Sequence, residues 1–216
     1  MKDRAGSPPR KSQGTFIEEA RRKQVLDIAL DIIADQGYRQ TTIDMIAQQA
    51  GVSKGVIYYH FGGKTELTAA IWTALMDELW TYRKSRVDQQ VSASDKLRAY
   101  IEACFEFLFS YRKRHLAAIF EAGVDLTAKE GRNPWSSALN ARAFGFITQI
   151  LKEGQARGEF GHFSPEKLAP VIQSAIDGLV VTAYSDPAGV DWPEGQQTII
   201  EVIFSYLRRP GGRNEG

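Results

Sequence analysis

The residues best equipped for chemistry lie in one short stretch, Ser53-Lys54-Gly55-Val56-Ile57-Tyr58-Tyr59-His60-Phe61. On a helix capped by Ser53, this run presents Lys54, Gly55, Val56, Tyr58, Tyr59 and His60 around an inward Ile57. An ammonium, two phenols and an imidazole so placed can bond phosphate oxygens and base edges, and Val56 can touch a thymine methyl. Lys64 opens the next helix, so its ammonium and the unbonded N–H groups of that helix start form a phosphate site together. Little else in the chain points to chemistry. His60, His115 and His162 lie far apart and in no metal-ligand spacing, and Cys104 is the lone cysteine, set in an apolar run. There is no phosphate-cradling glycine loop and no nucleophile elbow. The expectation is a non-enzyme with no metal and no cofactor. A catalyst hidden among the C-terminal helices is the alternative.

Two short helices must hold that stretch in place. Thr42 reads as the N-cap of a helix over residues 43–49, Gly51 as a tight turn with positive φ, and Ser53 as the cap of a helix to about residue 60. Ala47 is small enough for the pair to approach closely, and Ile46, Ala50, Val52 and Ile57 form the inward set. This is a helix-turn-helix, the alternative being an αα-hairpin inside a helical bundle. A first helix over residues 17–36 ends at Gly37, and a long helix runs from residue 64 to about 88 after Gly62-Gly63.

The stretch from Arg21 to Trp72 resembles the N-terminal domain of the TetR family of bacterial transcriptional regulators. The resemblance is carried by Val25-Leu26-Asp27-Ile28-Ala29, Gly37-Tyr38, Thr41-Thr42-Ile43, Ile46 to Gly55, Ile57 to Phe61, Lys64 and Leu67. It implies a fold of nine or more helices, a homodimer, and binding to a palindromic DNA operator that a small ligand relieves. By position it implies DNA contacts at Thr42, Lys54, Val56, Tyr58, Tyr59, His60 and Lys64; Ser53 and Gly55 complete the DNA-binding set. Asp44 and Met45 depart from the pattern, since relatives often carry a basic then an acidic residue there, and a carboxylate repels phosphate. Gly62-Gly63 replaces the usual polar linker.

The rest of the chain reads as helix after helix, so the fold class is all-α. Of 216 residues, 43% are hydrophobic and 25% charged, which suits a chain with a sizeable core and excludes a mainly disordered one. Residues 1–65 carry 10 Lys and Arg against 7 Asp and Glu, and the remainder 17 against 19, so the N-terminal third is the basic part. Residues 1–15 read as a flexible basic arm, either a solvated terminus or a reach toward DNA; residues 16–63 as the helix-turn-helix domain; residues 64–216 as a helical ligand-binding and dimerisation domain. No run approaches the roughly 18 uninterrupted apolar residues of a membrane span, and the first 16 residues lack the apolar core of a secretory signal, so a cytoplasmic protein with no membrane partner is expected.

Two C-terminal apolar stripes, Leu168, Val171, Ile172, Ala175, Ile176, Leu179 and then Ile199, Val202, Ile203, Tyr206, fit a four-helix homodimer interface that Gly178 lets close tightly. The alternative is that both stripes pack on their own subunit. Trp80, Tyr100, Phe105, Phe109, Phe120, Trp135 and Phe146 are the candidate ligand contacts, either plain core or the lining of an apolar, aromatic-rich pocket. Glu102, Glu106 and Glu121 could meet a cation there or simply line a solvated helix face. The function expected is a ligand-responsive repressor that leaves its operator when a small apolar or aromatic effector binds. The alternative is a helical small-molecule-binding or interaction protein without operator binding.

Overall fold

The computed structural model describes residues 12–208 except 113, 116, 117, 119, 121, 124–136 and 187. All regular structure among the described residues is helical. Helix α1 spans Ser12–Gln36, α2 Ile43–Ala50, α3 Lys54–Phe61, α4 Lys64–Val87 and α5 Ala93–Glu106. A five-residue π-helical turn, Phe107–Tyr111, follows. Then come α6 (Ser137–Ala156), α7 (Pro165–Ser185) and α8 (Trp192–Leu207).

Local signals place most of these boundaries. Gly37 turns at φ 85° and donates its N–H to Ile33 O at 2.9 Å, closing α1. Ser164 caps α7 by accepting from Lys167 N at 3.3 Å, and Pro165 occupies the first turn, where no N–H is needed. Three boundaries differ from the sequence reading. Helix α1 begins at Ser12 rather than residue 17, taking in four residues assigned to the arm. The sequence reads the next helix as starting at Ser94, whereas α5 begins at Ala93, capped by Ser92, whose hydroxyl accepts from Asp95 N at 2.9 Å. The sequence runs the same helix on to the basic stretch that begins at Arg112, but it stops at Glu106 because the ladder widens: Arg112 N bonds Phe107 O at 3.0 Å, one residue beyond α-helical spacing.

Two hydrophobic cores result. One joins α1, α2, α3 and the first half of α4 around Val25, Ala29, Ile46, Ile57 and Leu67, and also takes in Ala118 and Ala122. The other joins the second half of α4 with α5 to α8 around Leu97, Ile101, Phe105, Ile147 and Ile176. Helix α4 belongs to both and links them. Helix α7 is long and apolar enough to cross a membrane by length and composition alone; here it packs between α6 and α8.

Candidate functional site

The helix-turn-helix is built from two capped helices. Thr42 Oγ1 accepts from Met45 N at 3.3 Å, and Ser53 Oγ accepts from Val56 N at 3.3 Å. Between them Gly51 takes φ 65°, ψ 35°, a left-handed conformation open to glycine without strain, and Val52 N reaches Ala47 O at 3.0 Å. Ile43, Ile46, Ala47 and Ala50 face the core, as do Ile57 and Phe61. This seating leaves Lys54, Gly55, Tyr58 and Tyr59 outward, with Tyr59 81% exposed.

Val56 and His60 sit deeper than the sequence reading placed them. Both are half-buried, and the His60 ring rests edge-on to Tyr59 with its Nδ1 3.9 Å from Glu18 Oε1 on α1. Phe61 is buried as well as Ile57, because the short helix needs two inward anchors one turn apart. Lys54 Nζ lies 2.6 Å from Asp44 Oδ1, across the mouth of the motif from α3 to α2. Both side chains are about 60% exposed, so the pair faces solvent on the motif's outer surface. Lys64 Nζ lies 4.1 Å above the Tyr38 ring and donates to Arg39 O at 3.5 Å. The N-terminus of α4 has no side-chain cap bond. Glu66 folds over it, so that a Cβ added at Gly63 would stand 2.9 Å from Glu66 Oε2. The Lys54–Asp44 pair joins residues ten apart on separate helices, and no spacing rule signals it.

The aromatic residues of the larger core fall into three groups rather than one. Trp80 meets Phe146 edge-on at 5.0 Å, and Phe146 also meets Tyr100 at 5.9 Å. Phe105 and Phe109 stack with Trp192 of α8, the latter pair at 4.9 Å. Phe120 stacks on Tyr184 at 5.2 Å and meets Trp72 at 6.0 Å, bridging the two cores. Trp135 and Glu121 lie outside the described residues. Glu106 pairs with Arg86 at 3.1 Å and Glu102 with Arg98 at 3.9 Å, which is the solvated-face arrangement. Two hollows flank these groups. A groove of about 700 Å³ runs between α1 and α4 over Leu26, Ala74, Tyr82 and Phe107, and one of about 400 Å³ lies between α5 and α8 beside Arg98 and Phe204.

A buried polar chain crosses the same core. Arg83 on α4 donates to the Tyr100 hydroxyl at 3.1 Å; that hydroxyl donates to Gln173 Oε1 at 2.7 Å; Gln173 Nε2 donates to Asp177 Oδ1 at 2.7 Å. Burial pushes the Tyr100 phenol up to about 12, against the lowering pull of Arg83. Burial likewise raises the Cys104 thiol, which stays protonated and unreactive beside Arg83. Desolvation holds the Asp177 carboxyl above the ordinary carboxylate value, with Gln173 and Arg83 opposing. The sequence carries a sign of this chain. Leu75, Leu79, Arg83 and Val87 recur every fourth residue and all four are buried, so a charge stands in an apolar stripe.

The junction between the cores is held by charge. Arg114 pairs with Asp31 at 3.3 Å and Asp35 at 3.1 Å, and His115 Nε2 lies 3.0 Å from Asp31 Oδ1. Arg112 pairs with Glu78 of α4. Among the described residues, no three His, Cys, Asp or Glu side chains come together as a metal site.

A helix-turn-helix with an exposed recognition face, joined by one helix to a larger helical core, defines a class of DNA-binding regulators. The family description "bacterial regulatory proteins, tetR family" matches residues 25–71. The HTH-type transcriptional regulator YhgD of Bacillus subtilis is 31% identical over 194 residues, 87% of this chain and 94% of that protein. The chain belongs to the TetR family of bacterial transcriptional regulators. It is also 29% identical to the A-factor receptor protein of Streptomyces griseus over 88% of its own length, and spans 64% of that relative. Among solved structures, FadR of Bacillus subtilis in complex with stearoyl-CoA superposes with a TM-score of 0.66 at 23% identity, covering 86% of this chain and 99% of that one. A regulator from Saccharomonospora viridis in complex with choline superposes with a TM-score of 0.70 at 20% identity, covering 86% and 96%.

Proposed function

We propose that this chain is a repressor that binds a palindromic operator as a homodimer and is released by a small, largely apolar effector held among α4 to α8. The observation that carries this reading is the outward face of α3. Tyr58, Tyr59 and Lys54 stand clear of a helix locked by two caps, a left-handed glycine and two buried anchors. In this reading residues 16–63 form the DNA-binding domain, with α1 starting four residues before it. Tyr58, Tyr59 and Lys64 contact phosphates, Lys54 does so in competition with Asp44, and Val56 and Tyr59 meet base edges. Thr42, Ser53, Gly55 and His60 hold or flank that face.

Dimerisation is supported by what α7 and α8 leave uncovered. Ile172, Ile176 and Ile203 pack inward, whereas Val171, Val181, Val202 and Tyr206 remain exposed. A Cβ at Gly178 would meet nothing within 4 Å, so this chain's own packing does not require a glycine there. A second copy laid on this face would bury the exposed valines and use the missing side chain. The two half-sites would then lie about one helical turn of DNA apart, or a small multiple of it, roughly 34 Å or more.

Effector action follows from α4. Its first residue, Lys64, belongs to the DNA end, and Arg83 to the second core, roughly 28 Å further along at 1.5 Å per residue. A ligand that favours one tilt of this rod changes the spacing of the two α3 helices and so shifts the population that fits the operator. Anisotropy of a labelled duplex from the region upstream of the gene tests the DNA part. Tyr59→Ala should weaken binding at least about tenfold, the loss expected for one good base or phosphate contact. Unchanged binding by Tyr59→Ala would remove α3 as the reading element.

A further inference from the structure

Arg83 carries a buried charge with no carboxylate in direct contact with it. The side chain is 6% exposed and sits where α4, α5 and α7 meet. Its guanidinium carbon lies 4.5 Å from the Tyr100 ring centre, one NH group donates to the Tyr100 hydroxyl, and Nε is buried without an acceptor. Its immediate polar neighbours, Tyr100 and Cys104, are neutral at physiological pH, since burial raises both. Asp177, the carboxylate acting on it, is reached only through Tyr100 and Gln173, and none of the ion pairs among the described residues includes Arg83. An arginine stays ionised even in such a place, and a buried cation without a direct counter-ion is costly. The chain through Tyr100 and Gln173 to Asp177 offsets part of that cost, and an anion placed directly against the guanidinium would offset more of it.

We propose that Arg83 anchors the effector's one anionic group, and that the effector is a monocarboxylate with an otherwise apolar body. This rests on the reading of α4 to α8 as the effector domain. A single charge is called for because one guanidinium is present. The carboxylate would take the open Nε–H and compete with Tyr100 for its neighbouring NH group. The body of the molecule would lie along Phe146, which touches both Tyr100 and Trp80. Trp80 and Phe146 are only half-buried, so that edge of the core is the way in. Glu102 and Glu106, the alternative anchors for a cation, are engaged with Arg98 and Arg86 on the outer face of α5.

The test uses the full chain and two matched series: decanoate, decanol and decylamine, then naphthylacetate, naphthylethanol and naphthylethylamine. Thermal shift and tryptophan fluorescence follow each titration. In at least one series the carboxylate should bind at least about tenfold tighter than the alcohol, as a charge-assisted hydrogen bond provides, and the amine weakest. Arg83→Met should bring carboxylate and alcohol to within about twofold of each other while the alcohol's own affinity holds. If that variant fails to fold, the wild-type ranking still decides. Equal binding of carboxylate and alcohol overturns the anchor but leaves the effector domain standing, with Arg83 then a structural tie between α4 and α5. Preference for the amines overturns the anchor in favour of a cation. No binding in either series overturns the anchor and the apolar-effector reading together, and the duplex assay then shows whether the DNA-binding reading survives alone.

Discussion

Replacing Asp44 by Asn should strengthen DNA binding and make it more sensitive to salt. In the free protein Asp44 holds the Lys54 ammonium at 2.6 Å, on the surface proposed to meet phosphates. While that pair persists, Lys54 releases no counterion when DNA binds. Freed by Asp44→Asn, it can neutralise one more phosphate, and each phosphate neutralised on B-DNA steepens the plot of log affinity against log salt by about 0.9. Over a fourfold rise in salt, the variant should therefore lose about 3.5 times more affinity per protomer than the wild type. Folding should hardly change, because an ion pair this exposed contributes at most about 1 kcal/mol and the helix-dipole benefit of Asp44 in the first turn of α2 is of similar size or smaller. The assay is duplex anisotropy at several salt concentrations, on wild type, Asp44→Asn, Lys54→Ala and the double variant. The Asp44→Asn slope change should vanish in the Lys54→Ala background. Parallel slopes for wild type and Asp44→Asn would refute the idea that Asp44 occupies Lys54.

Other outcomes follow from the same geometry. Lys64→Ala should weaken binding to all duplexes alike and flatten the salt slope by about 0.9 per protomer, a test read by comparing operator with random DNA; a change at one base pair alone would contradict a phosphate role. Gly154→Ala should destabilise the second core by about 1–3 kcal/mol, since the added Cβ would stand 2.1 Å from the buried Phe160 ring; with roughly 2–4 °C of melting temperature per kcal/mol at this size, calorimetry should resolve it. The Glu159 carboxylate accepts from Ala93 N at 3.0 Å and Ser94 N at 2.8 Å, tying the start of α5 to the turn after α6. Burial pushes this carboxyl up, but those bonds outweigh it and hold it below its ordinary value. Its stabilisation is therefore complete above the unfolded value near 4.3 and is lost as pH falls through the lower folded value. Glu159→Gln should then be less stable than wild type by about 1 kcal/mol at neutral pH, with the gap closing in acid, as urea titrations at several pH values would show.

The parts of this molecule written in the sequence are those set by short-range chemistry. Thr42, Ser53 and Ser164 are caps because a hydroxyl reaches an N–H three residues on, and Gly37, Gly51 and Gly158 turn because only glycine enters positive φ freely. The sequence places the start of α5 at Ser94 because Ser92 and Ser94 can both cap, and the choice is made by Glu159, 65 residues away. The π-helical turn at Phe107–Tyr111 has no local marker. It seats Phe109 against Trp192, and that tertiary contact is invisible in the run itself. The sequence separates outward from inward residues of α3 at Tyr58, Tyr59 and Ile57 but not at Val56 and His60; His60 lies against α1, where its Nδ1 is 3.9 Å from Glu18 Oε1. The sequence shows one apolar stripe on each of the last two helices; each instead has two apolar faces, one used by the chain and one left exposed. In the sequence Asp44 reads only as a repulsive group, and its pairing with Lys54 depends on the packing of α2 on α3.

The most direct test of the central claim is anisotropy of a labelled duplex from upstream of the gene, titrated with the full chain at low salt, together with sedimentation of the complex. Two protomers should occupy each near-palindromic site, with saturable binding far tighter than to random DNA and release when an effector found in the thermal-shift titrations is added. A single protomer bound to an asymmetric site, or no preference for any upstream sequence over random DNA, would contradict it.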